Sequence, residues 1–199
     1  MRLFVALELP PEVKEAAATV TQQLRPWGAD IKWVAPQNMH LTLRFLGEVA
    51  PEALAGIKTA LSRALAGRQA LDLAVRGCGA FPSPRRPQVI WLGLAGQVAE
   101  LASLASAIQA GLEPLGFAPE ARAFQAHLTL GRLRRGRGPA RRPSPDQARD
   151  KAGGLARELA GLSGWEGPRF LAKRVALVQS TLTPKGPLYQ PLLVEGLAA

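Results

Sequence analysis

Short apolar runs alternate with helical stripes along the whole chain. Residues 3–9 form an apolar run closed by Pro10, the pattern of a buried strand. Pro10-Pro11-Glu12 then opens a helix, since proline at the first turn gives up an N–H that has no intrahelical partner. Val13, Ala16, Ala17, Val20 and Leu24 recur at helical spacing until Pro26 stops them. Residues 31–34 and 40–46 read as strands, the second ended by Gly47. A helix opened at Pro51 places Leu54, Ile57, Leu61 and Leu65 on one face. Residues 71–75 read as a strand and 81–87, rich in proline and arginine, as a loop. Residues 89–94 are apolar with little alternation, the pattern of a central strand. A helix over 97–115 lines up Val98, Leu101, Ala105, Ile108, Leu112 and Leu115, and Gly116 stops it. Residues 127–133 form another strand. Ser144-Pro145-Asp146 resembles a capped start and predicts a helix to about residue 162, against the weakening effect of Gly153-Gly154. Residues 175–180 and 188–194 read as a closing strand pair around the turn Pro184-Lys185-Gly186-Pro187. The mixture lacks strict βαβ alternation and a glycine-rich phosphate loop, so it predicts an α+β fold rather than a doubly wound parallel sheet.

Composition narrows the classes. At 199 residues, 47% hydrophobic and 20% charged, the chain can bury a sizeable core and is not disordered. One cysteine, Cys78, excludes an internal disulfide and fits a reducing compartment; it reads as a small buried residue. Two histidines and one cysteine are too few for the common zinc spacings, so no metal and no cofactor are expected. No apolar run is long enough to span a membrane, and the N-terminal run breaks at Glu8, too early for a secretory signal. Cytoplasm is the expected location. The net charge of +10 is uneven. Residues 132–151 hold eight basic and two acidic side chains, so six of the ten net charges lie there. Such a cluster is either a footprint for a polyanion or a solvated arginine-rich loop.

The chemistry lies in a repeat. His40-Leu41-Thr42-Leu43 returns as His127-Leu128-Thr129-Leu130, and these motifs use both histidines of the chain. Residues i and i+2 of a strand share a face, so each histidine projects with its threonine while the leucines enter the core. Setting the two strands side by side about a pseudo-twofold axis gives a cleft with two imidazoles and two hydroxyls. Paired imidazoles can divide acid and base roles near neutral pH. Paired threonine hydroxyls can donate to two oxygens of one anion, which suits a phosphate.

These motifs resemble the 2H phosphoesterase superfamily, within it the RNA 2′,3′-cyclic phosphodiesterases, also called 2′-5′ RNA ligases. The resemblance also rests on the Arg2-Leu3-Phe4-Val5-Ala6-Leu7 strand, Lys32-Trp33-Val34, Asn38-Met39-His40 and Phe45-Leu46-Gly47. It continues through Phe81-Pro82-Ser83-Pro84-Arg85, Val89-Ile90-Trp91-Leu92-Gly93 and the tail from Ser180 to Tyr189. It implies a single domain over 1–199 with two pseudo-symmetric lobes. Each lobe has an antiparallel sheet with helices packed outside, and a metal-free cleft lies between them. It places His40, Thr42, His127 and Thr129 in catalysis, with His127 read as base and His40 as acid, and adds substrate contacts at Phe45 and Arg132. Those two have the opposite strand parity to the histidines and reach the cleft only across a bend or bulge, which Gly131 permits for the second copy. Otherwise Phe45 is a core aromatic and Arg132 a rim charge. The implied substrate is RNA ending in a 2′,3′-cyclic phosphate, tRNA fragments included, acted on by a monomer. The alternatives are a non-catalytic RNA- or nucleotide-binding module and an enzyme for small cyclic nucleotides.

Overall fold

Two antiparallel sheets share the strands of the chain, with the order β3-β1-β8-β9 in one and β2-β6-β5-β4-β7 in the other. In this computed structural model the described residues are all but 28–29, 121, 135–144, 185 and 199, with the side chains of 145–152 also left undescribed. In chain order the elements are β1 (Arg2–Leu7), α1 (Pro11–Leu24), β2 (Ile31–Trp33), β3 (Leu41–Glu48), α2 (Leu54–Leu65), β4 (Leu71–Ser83) and β5 (Arg86–Gly96). There follow α3 (Val98–Leu112), β6 (His127–Leu133), α4 (Pro145–Gly161), β7 (Glu166–Ala172), β8 (Arg174–Thr183) and β9 (Gly186–Gly196). No described helix is long and apolar enough to cross a membrane.

The helical stripes do what their spacing predicts. Val13, Ala17, Val20 and Leu24 of α1, Ile57, Leu61 and Leu65 of α2, and Leu101, Ile108 and Leu112 of α3 enter one core. Leu3, Val5 and Leu7 from the first sheet and Ile90, Leu92, Leu128 and Leu130 from the second join them, so the core is continuous across both sheets. Cys78 is buried in it, and burial pushes its thiol up to about 12. α4 runs through Gly153-Gly154 for a packing reason. A Cβ on Gly154 would lie 2.1 Å from the Trp27 ring, so the glycine makes room for the indole.

Two expectations need correction, and one element was not anticipated. Residues 81–87 are not a loop. β4 and β5 extend through them as a hairpin with Phe81 opposite Val89 and Ser83 opposite Arg86, turning at residues 84–85. Prolines are tolerated there because β7 pairs with β4 only from Leu71 to Arg76, and β6 pairs with β5 no further out than Val89. The element not anticipated is β7, whose sequence shows no clear periodicity because it is an edge strand in which only Phe170 and Ala172 are buried. The second correction is that the two motif strands do not pair side by side. β3 edges the first sheet and β6 lies within the second. β1 is buried along Leu3–Leu7 and needs a neighbour on each edge, and the C-terminal strand β8 supplies the second one. The arginine-rich segment lies mostly outside the described residues.

Candidate active site

β2 links the two motifs. It pairs with β6, Lys32 opposite Arg132 and Trp33 opposite Gly131, and the chain then passes through a turn at Pro36–Asn38 to His40. His40 stands just before β3, and His127 is the first residue of β6.

The parity problem is solved by the same irregularity in both copies. β3 shifts register against β1 so that Thr42 faces Ala6 and Arg44 faces Val5, with Leu43 bulged out of the ladder. β6 shifts against β5 so that Thr129 faces Trp91 and Gly131 faces Ile90, with Leu130 bulged. A bulge puts two successive residues on one face and reverses the alternation beyond it. Leu43 and Arg44 are therefore both buried, as are Leu130 and Gly131. Phe45 and Arg132 return to the face of the threonines. Phe45 is 54% exposed and lies 6.1 Å from the Phe4 ring, so it is not a core aromatic. Gly131 is required because a Cβ there would come within 2.5 Å of Ile31 Cγ2 and 2.9 Å of the Trp33 ring. The equivalent Arg44 is buried, donates to the Ala118 carbonyl and pairs with Glu120 at 3.0 Å, pinning β3 to the segment after α3.

Both imidazoles are held in one way. His40 Nδ1 lies 2.8 Å from the Asn38 carbonyl and His127 Nδ1 2.7 Å from the Gln125 carbonyl. A carbonyl can only accept, so Nδ1 carries the proton in each ring and Nε2 is left for chemistry. His40 stacks on Phe4 at 4.6 Å and meets the edge of Tyr189 at 5.3 Å. His127 meets Phe81 edge-on at 5.3 Å. Burial lowers both pKa values below 6.5, the carbonyl bonds oppose this, and the Arg132 charge lowers both further. Lys14 adds to the lowering at His40. The Arg132 guanidinium is thus near enough to both rings to lower each. Thr42 and Thr129 are half-buried, and neither hydroxyl donates to a partner among the described residues. Among those residues no three His, Cys, Asp or Glu side chains gather as a metal cage.

Two contributors stand in stretches that carry the resemblance but have no role assigned from the sequence. The Asn38 side chain donates to the Pro187 carbonyl at 3.1 Å, tying the turn that holds His40 to the β8–β9 hairpin. Tyr189 closes the same side, edge-on to Phe4 and His40. That Asn38 is the chain's single asparagine was the available signal.

Comparison with known proteins follows the same division. The model of the LigT like Phosphoesterase family matches twice, over residues 7–91 and 92–189, with one His-x-Thr in each match. The chain is similar to the RNA 2′,3′-cyclic phosphodiesterase of Archaeoglobus fulgidus, at 36% identity over 98% of this chain and 99% of the relative. It is similar to that of Thermotoga maritima at 31% identity over 96% and 93%. Its structure resembles TT0787 of Thermus thermophilus, with a TM-score of 0.77 and 29% identity over 99% and 98% of the two chains. The fold of E. coli LigT is also similar, with a TM-score of 0.73 at 24% identity over 100% and 98%. With its motifs, both sheets and nearly its whole length matched, the chain belongs to the LigT-like phosphoesterase family.

Proposed function

We propose that this chain hydrolyses RNA 2′,3′-cyclic phosphate ends to 2′-phosphates by paired-histidine acid–base catalysis. The observation that carries the reading is the duplicated His-x-Thr on two sheets, each imidazole presenting Nε2 with Nδ1–H fixed on a backbone carbonyl. A neutral imidazole takes a proton from water as the water oxygen bonds to phosphorus. The P–O3′ bond breaks, and the other imidazole, protonated, delivers its proton to O3′. Thr42 and Thr129 donate to the non-bridging oxygens, and Arg132 balances the charge that develops on them. Phe45 offers its exposed ring to a base. The scheme takes His127 as base and His40 as acid; the Lys14 charge, felt at His40, works against that order. With a 5′-hydroxyl in place of the attacking water, the same steps bond the 5′ oxygen to phosphorus, break P–O3′ and join RNA ends through a 2′-5′ linkage without ATP. The reading takes the protein as a cytoplasmic monomer acting on RNA ends, tRNA fragments included.

The test is product analysis with an oligoribonucleotide ending in a 2′,3′-cyclic phosphate. The expected product is the 2′-phosphate, formed at the same rate with EDTA present. A 3′-phosphate product, or activity lost to EDTA and restored by a divalent ion, overturns the scheme.

A further inference from the structure

The β4–β5 hairpin has no part in the chemistry above, yet it projects from the catalytic face. Arg132 lies opposite Val89 on β5, and the strand continues outward through Pro87 and Arg86 to the turn at residues 84–85. At about 3.3 Å per residue the tip stands on the order of 10 Å beyond Arg132. Aromatic rings connect it to the centre. The Trp91 ring lies over Gly79, where a Cβ would come within 2.5 Å of it. Phe81 packs on Trp91 at 5.1 Å and 33°, and its ring meets His127. At the tip Arg85 and Arg86 are exposed, and no acidic residue occurs between Asp72 and Glu100. Three exposed arginines away from the cleft are paired: Arg76 with Glu166, Arg169 with Asp72, Arg174 with Glu8. Arg85 and Arg86 have no carboxylate partner among the described residues, and neither do Lys32 and Arg132 beside them. Unpaired cations along an aromatic wall are what a single-stranded nucleic acid requires of a surface.

We propose that the β4–β5 hairpin is an RNA-holding arm, in which Arg85 and Arg86 bind backbone phosphates upstream of the reacting end while Phe81 and Trp91 line the way to it. The proposal rests on the cyclic phosphodiesterase reading and adds where the rest of the strand lies. The experiment compares wild type, Arg85→Gln/Arg86→Gln and the control Arg169→Gln/Arg174→Gln, which removes the same charge away from the cleft. Binding of an oligoribonucleotide is measured over a range of salt, together with turnover of a 2′,3′-cyclic mononucleotide too small to reach the tip. The hairpin variant should lose about 1.4 from the slope of log affinity against log salt, at roughly 0.7 per phosphate contact. The control should keep the wild-type slope, and mononucleotide turnover should stay within twofold in all three. An unchanged slope in the hairpin variant overturns the arm. So does an equal loss in the control, which would mean diffuse attraction to net charge. Loss of mononucleotide turnover in the hairpin variant alone also overturns it, because the hairpin would then act through His127. Absence of turnover in the wild type would overturn the cyclic phosphodiesterase reading instead.

Discussion

Removing either imidazole tests the mechanism most directly. A positioned acid or base contributes about 10²–10⁴-fold, so His40→Ala and His127→Ala should each lose roughly 3–5 kcal/mol of transition-state stabilisation. The fold should survive. His40 gives up its stack on Phe4 at 4.6 Å and its edge contact with Tyr189 at 5.3 Å, and His127 its edge contact with Phe81. Aromatic pairs of this kind contribute about 0.5–1.5 kcal/mol each, against about 5–15 kcal/mol for an ordinary domain. Circular dichroism and thermal melts of the variants should therefore stay close to wild type while turnover collapses. The double variant should be little slower than the slower single one, because two groups acting together in one displacement are not additive. The assay uses two substrates, a cyclic phosphate RNA end and a phosphodiester with a nitrophenolate leaving group. Nitrophenolate departs without a proton, so the variant lacking the acid should regain rate on it and the variant lacking the base should not. Rescue of His40→Ala supports His40 as acid, and rescue of His127→Ala reverses the roles. Wild-type turnover in either single variant, with its fold intact, would refute the two-histidine reasoning.

Burial and the Arg132 charge hold both imidazoles below 6.5, so the rate should follow a bell whose alkaline limb, where the acid loses its proton, lies below that value. Arg132→Gln removes a cation that lowers both and should move that limb to higher pH in a pH–rate profile. The same lowering makes the unfolded chain the better proton binder just below 6.5, so stability should fall as pH drops through that value, and less so in a His40→Gln/His127→Gln variant followed by melts. Asn38→Asp keeps size but cannot donate to Pro187, so kcat should fall about 10–100-fold with KM little changed, while Asn38→Gln recovers part of it. Gly131→Ala forces a Cβ against Ile31 and Trp33, and thermal melts should show roughly 1–3 kcal/mol of destabilisation.

Much of the fold was legible because burial writes periodicity into sequence. α1, α2 and α3 each bury a stripe, and β1, β5 and β6 are apolar where they cross the core. Elements that bury little left little trace. β7 sits at an edge with a proline at position 168, and the β4–β5 tip has three prolines and two arginines, so both resemble loops by composition. The candidate catalytic residues were legible for a different reason, since a tetrapeptide that occurs twice and takes up every histidine stands out whatever the secondary structure. Asn38 and Tyr189 were not assigned roles because their contacts, to Pro187 and to His40 and Phe4, join segments far apart in the chain.

The matching bulges allow the two halves of the site to be compared position by position. Thr42 lies beside Ala6, which lies beside Ala176; Thr129 lies beside Trp91, which lies beside Gly79. One step further out, Phe45, Phe4 and Val178 correspond to Arg132, Val89 and Phe81. The His-x-Thr pairs are identical, but the walls differ. Ala6 and Ala176 are both small and buried, whereas Gly79 gives up its side chain to seat the Trp91 ring. The outermost position is an exposed phenyl ring on one side and a guanidinium on the other. A symmetric site would accept a cyclic phosphate in either of two orientations. With an apolar wall opposite a cationic one, a substrate that has a base at one end and a phosphate-linked strand at the other has a single favourable orientation. On the proposed reading the repeat supplies the chemistry, and the differences between its copies supply the direction in which RNA enters.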